Sequence, residues 1–161
     1  MVRYVFFSFH YERDHWRAGQ VRNSWVTQDR EVAGYVDAAK WEEIKRRSDS
    51  AIERWIDDQM NGTSVTVVLI GSETYDRKWI NYEIEESGRQ GNGLLGVHVN
   101  NLKNKDGRTD RKGKNPLSRY HYEDTGEQVT DVYNTYDWKF DNGYDNFGDW
   151  VEEAARIAER R

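Results

Sequence analysis

Three short stretches of the chain are apolar almost without interruption: residues 2–9 (VRYVFFSF), 64–70 (SVTVVLI) and 94–99 (LLGVHV). Runs of this length, rich in β-branched and aromatic side chains, suit strands covered on both faces of a parallel sheet. Between them the pattern changes to a helical period. Residues 14–27 read as a helix in which Trp16, Val21 and Trp25 are expected to share a stripe, with Asp14 positioned as an N-cap. Residues 41–60 bring Ile44, Ala51, Ile52, Trp55 and Ile56 together and stop at Asn61-Gly62. A further helix is predicted over 77–89, closed by Gly91-Asn92-Gly93, and the amphipathic run FGDWVEEAARIAER predicts a last helix over 147–160. Gly34–Asp37 reads as a short second strand and 136–140 (YDWKF) as an edge strand. Residues 101–115 form a polar loop, and 116–135, with Pro116 and Gly126, carry no clear period.

This alternation predicts an α/β fold of the flavodoxin-like kind. It is a single domain over 1–161, with a central parallel sheet of about five strands in the order 2-1-3-4-5 and helices on both faces. In such sheets ligands bind past the carboxyl ends of the strands, at the switch point between strands 1 and 3. Here that edge is formed by Ser8–Tyr11 and Gly71–Tyr75.

Composition narrows the function classes. The formal charge of −5 argues against nucleic acid as a partner. No cysteine is present, which excludes disulfides and thiolate chemistry. The amino-terminal apolar run is too short for a signal peptide or a membrane span, so the expectation is a cytoplasmic protein with no membrane partner. His10, His15, His98 and His121 lack metal-ligand spacing, so no metal site is expected. Neither a P-loop nor a G-x-G-x-x-G pattern occurs. The cations of the 101–115 loop read as a solvated cluster, with attraction of an anionic partner as the alternative.

The helix over 77–89 opens at the ligand-binding edge. At about 100° per residue, Trp79, Glu83 and Ser87 share one flank beside Ile80 and Ile84, while Glu85 and Glu86 turn towards water. Glu83 is thus expected at the margin of the apolar stripe. Partial desolvation there raises a carboxyl pKa and strengthens the field of the carboxylate on a nearby cation.

Taken together, VFFSFHYERD, the segment Val21–Thr27 (VRNSWVT), TSVTVVLIGSET and WINYEIEES resemble the MTH538-type TIR-like domains, and among them the ThsB group of Thoeris anti-phage defence. The resemblance runs from Val2 to about Asn104 and returns at Tyr136–Trp150; Leu117–Thr135 does not align. It implies that Trp79 and Glu83 are the family's Trp-x-x-x-Glu pair, with Glu83 catalytic. It also implies NAD⁺ as the substrate, with no separate cofactor, nicotinamide as the leaving group and a cyclic ADP-ribose isomer as the product. That signal would activate a ThsA-like effector, in answer to a phage-derived trigger and in an assembly of several copies.

Nicotinamide in NAD⁺ is already a cationic leaving group, so one carboxylate facing an oxocarbenium-like transition state suffices. Cyclisation then needs a hydroxyl of the adenosine ribose to arrive before water does. Substrate contacts are expected from Ser8, Phe9, His10 and Tyr11, with Phe9 stacking on a base and Ser8 meeting phosphate; a core position for Phe9 is the alternative. Ser72, Tyr75 and Trp79 are expected at the same edge. Asp37 and Trp41 lie where TIR domains carry their BB loop and are expected to touch the adenosine or a neighbouring copy, with a helix cap and a core indole as the alternatives. Two competing functions remain: a TIR adaptor that acts only by association, and a receiver-like domain. The latter is disfavoured because Gly71 and Ser72, not an aspartate, follow Ile70.

Overall fold

The computed structural model describes residues 3–26 and 32–161. Five parallel strands, β1 (Val5–Ser8), β2 (Val32–Ala33), β3 (Val65–Ile70), β4 (Gly93–His98) and β5 (Thr135–Asp137), form one sheet in the order β2-β1-β3-β4-β5. The expected topology is the one observed. The beginning of the first strand at Val2 and the end of the first helix at Thr27 lie outside the described residues.

Side chains of β1 alternate between the two faces of the sheet. Val5 and Phe7 pack into a large cluster with Val21, Trp25, Phe147 and Val151 from helices α1 (Tyr11–Val26) and α6 (Gly143–Glu159). Phe6 joins a second cluster with Ile44 of α2 (Ala38–Ile44) and with Ile52, Ile56 and Met60 of α3 (Asp49–Met60). Helix α4 (Lys78–Gln90) follows β3 and turns Ile80, Glu83, Ile84 and Ser87 inward. Its carboxyl end is closed by Gly91, whose φ of 83° is left-handed.

Several expectations are corrected. The second strand is Val32–Ala33, before Gly34 rather than after it. Gly34 has a φ of 81°, and a Cβ there would lie 2.6 Å from the Phe7 carbonyl oxygen, so the chain turns tightly against β1 instead of extending. The helix expected over 41–60 is two helices. Ser48 accepts from the Ala51 N–H and starts α3 afresh. Asp14 is not a cap: α1 begins at Tyr11, and Asp14 is buried within its first turn against Arg17, Nη1 to Oδ1 3.0 Å. Trp16 leaves the predicted stripe and is 55% exposed; the buried face is Asp14, Ala18, Val21 and Trp25.

The edge strand is Thr135–Asp137, shorter than expected: Trp138 still donates its N–H to the His98 carbonyl at 3.0 Å, but the Asp137 carboxylate accepts from the N–H groups of Lys139 and Phe140 and turns the chain away from β4. The stretch 116–135 is ordered into a 3₁₀ turn at Pro116–Arg119, a His121–Gln128 bridge and α5 (Val129–Val132), which seat Leu117, Val129 and Tyr133 in the core.

Candidate functional site

The inward turn of α4 carries Glu83 under the carboxyl end of β1. Its carboxylate accepts one hydrogen bond among the described residues, from Ser8 Oγ to Oε1 at 2.9 Å. One turn later Ser87 donates to the Glu83 carbonyl oxygen at 2.7 Å and meets Thr66 of β3 at 2.5 Å, which ties this face of the helix to the sheet. A cavity of about 40 Å³ adjoins the carboxylate. Its walls are Phe7 and Phe9 from β1 and its end, Tyr11, Gly34, Trp41, the α3 residues Ile52, Trp55 and Ile56, and Trp79. None of these side chains is charged. Burial therefore pushes the Glu83 carboxyl up to about 8, against the smaller downward pull of the Ser8 hydroxyl.

The aromatic wall is continuous. Phe9 stacks on Tyr11 at 5.6 Å and Tyr11 on Trp41 at 4.8 Å, measured between ring centroids. Tyr11 donates its hydroxyl to the Val36 carbonyl at 2.6 Å, and His15 Nε2 lies 3.2 Å from the same oxygen. These contacts hold the start of α2 against α1. Tyr11 and Trp41 also face a second, larger groove of about 820 Å³, whose walls include His10, Arg13, Trp16, Arg77 and Arg108. Burial, and then the nearby Arg77, lower the pKa of His10, so that its imidazole is neutral at pH 7.

Of the residues singled out from sequence, Ser8, Phe9, Tyr11, Trp41 and Trp79 gather around Glu83, although Ser8 is fully buried and spends its hydroxyl on the carboxylate instead of facing a phosphate. His10 lies in the adjoining groove. Three others serve local structure. Asp37 caps α2 by accepting from Lys40 N at 2.8 Å. Ser72 donates to Asp110 and accepts from Arg13. Tyr75 lies beneath the Arg119 guanidinium, 4.0 Å from its ring centroid. None of these three lines either cavity. Gly34, Ile52, Trp55 and Ile56 were not anticipated as walls. Only the helical stripe of α3 hinted at the last three, and a core stripe looks the same in sequence.

Two comparisons bear on this arrangement. Residues 6–104 match the family model described as Thoeris protein ThsB, TIR-like domain. Over 191 aligned positions, spanning 94% of this chain and all of the relative, the chain is 37% identical to a Bacillus cereus protein named as a candidate cyclic ADP-D-ribose synthase, ThsB1.

Proposed function

Since the chain belongs to the ThsB TIR-like domain family, we propose that it breaks the bond between nicotinamide and ribose in NAD⁺ and closes the remaining ADP-ribose into a cyclic signal, with Glu83 as the catalytic carboxylate. The observation that carries this reading is a buried carboxylate at the β1–β3 switch point, held among the described residues by the Ser8 hydroxyl and walled by aromatic and aliphatic side chains. The leaving nicotinamide takes the electron pair of the broken C–N bond. Positive charge then develops on the anomeric carbon and ring oxygen, and an ionised Glu83 in a dry wall stabilises it. A hydroxyl of the adenosine ribose attacks that carbon, passes its proton to the Glu83 carboxylate and closes the ring.

The cavity beside Glu83 holds little more than one water, whose share of liquid volume is about 30 Å³. The groove of about 820 Å³ has the capacity of a ligand site. The body of the dinucleotide therefore lies in the groove, and its reactive end passes between Tyr11 and Trp41 once α2 shifts. Arrival of the pyridinium cation beside the neutral carboxyl favours loss of its proton, so binding prepares the catalytic charge. Phe9, Tyr11, Trp41 and Trp79 exclude water at that point and favour cyclisation over hydrolysis.

In this reading the chain works in the cytoplasm, its product activates a ThsA-like effector, and a phage-derived component starts the reaction. No described helix is long and apolar enough to cross a membrane. Mass spectrometry of NAD⁺ incubated with the protein, alone and with lysate of phage-infected cells, tests the reading. The expected products are nicotinamide and a species one water lighter than ADP-ribose. Intact NAD⁺ under both conditions would leave an adaptor role in its place.

A further inference from the structure

Ser8 ends β1, opposite Val68 of β3, and is fully buried. It is not a wall of the groove in which the substrate's phosphates would lie. Its hydroxyl has one partner among the described residues, the Glu83 carboxylate. We propose that Ser8 acts on the reaction only through Glu83, as a positioning residue that fixes one carboxylate oxygen and favours the ionised form.

The surroundings of the carboxylate leave this task to Ser8. β1 and its end supply Phe7 and Phe9, α1 supplies Tyr11, the turn after β2 supplies Gly34, α2 supplies Trp41, α3 supplies Ile52, Trp55 and Ile56, and α4 itself supplies Trp79. No cation stands among them. The one other titratable group is the Tyr11 phenol; burial pushes its pKa up, and its proton is already given to the Val36 carbonyl. Burial therefore opposes the anion from every side, and among the described residues the Ser8 hydroxyl is the one group that favours it.

A hydrogen bond to a carboxylate is about twice as strong as one to a neutral acid, so the contact is worth more after the proton has left. Geometry assigns the two oxygens different work. Oε1 is held by Ser8, while Oε2 has no hydrogen bond among the described residues and is the oxygen available to the sugar.

This inference rests on the catalytic reading of Glu83, but the two fail separately. The test titrates the Glu83 side-chain carboxyl by carbon-13 NMR in the wild type, Ser8→Ala and Ser8→Thr, alongside the pH profile of kcat/KM for NAD⁺ cleavage. Loss of a charge-assisted hydrogen bond of about 1.5 kcal/mol corresponds to roughly one pH unit. Ser8→Ala is expected to raise the NMR midpoint and the rising limb of kcat/KM together by about that much, with KM on the high-pH plateau unchanged. Ser8→Thr, which keeps the hydroxyl, is expected to move the midpoint back towards wild type. An unmoved NMR midpoint in Ser8→Ala overturns the proposal, and so does a raised KM without a shifted midpoint, which would make Ser8 a substrate contact. If Glu83→Gln still cleaves NAD⁺, the catalytic reading falls, while the NMR midpoints still decide whether Ser8 controls that carboxyl.

Discussion

Glu83 gains its field from burial, and the same burial ties its protonation to the stability of the fold. Its carboxyl titrates near 4.5 when unfolded and at about 8 in the native chain. Above pH 4.5 the native state therefore binds more protons at this site than the unfolded state does, and stability falls as pH rises until the native carboxyl has ionised near 8. A shift of this size corresponds to a loss on the order of 4 kcal/mol across that window. Glu83→Gln removes the titration. Its melting temperature relative to wild type is expected to climb between pH 5 and pH 8 in thermal denaturation; a constant offset across that range would mean that the carboxyl is not desolvated. The flank of Glu83 was legible in the sequence because Ile80 and Ile84 fix the inner face of a helix. Its bond to Ser8 was not, because the two residues are 75 positions apart and meet only through the β1–β3 register.

Single elements show where a periodic pattern misleads. Ile44 and Ile52 are eight residues apart, about 80° round one continuous helix and so still within a single apolar stripe, and the break before Ser48 left no trace in the spacing of apolar positions. Trp16 was expected to share a stripe with Val21 and Trp25, but nine residues at about 100° each put it on the opposite face from Trp25; the buried stripe includes Asp14, with Arg17 buried beside it. Arg17 explains the exchange: it pairs with Asp14 and donates to the carbonyls of Leu102 and Arg108, and so clasps the 101–115 loop against α1. Burial outweighs this pairing and raises the Asp14 pKa. Arg17→Met is expected to cost about 3–5 kcal/mol in chemical denaturation, because it strands a buried carboxylate and two carbonyls. Faster amide exchange over 102–110 would accompany it, and an unchanged midpoint would show that the loop is held by other contacts. At the other side of the site, Tyr11→Phe removes the bond to Val36 and is expected to cost about 1 kcal/mol and speed exchange in α2. Equal exchange rates there would exclude Tyr11 as the fastening.

Over the whole molecule, strand order followed from the alternation of apolar runs with helices, and the order placed the site. A parallel sheet with β1 and β3 adjacent opens a crevice where their successor segments diverge, and Glu83 and both cavities lie at that edge. The stretch 116–135 was illegible because Leu117 stands twelve residues from Val129, and the pair Val129 and Tyr133 spans a single helical turn, too short to establish a period; all three are buried by tertiary packing. Hydrogen exchange with a non-cleavable NAD⁺ analogue is expected to protect 10–17, 38–42 and 104–110 together, as the groove requires. Protection confined to another face would move the substrate elsewhere. The central claim, that a buried carboxylate carries the cleavage, is tested most directly by the rate of nicotinamide release from NAD⁺ by Glu83→Gln beside an equally folded wild type at pH 8. A fall of at least about 10²-fold is the expected result. Release at the wild-type rate would contradict it.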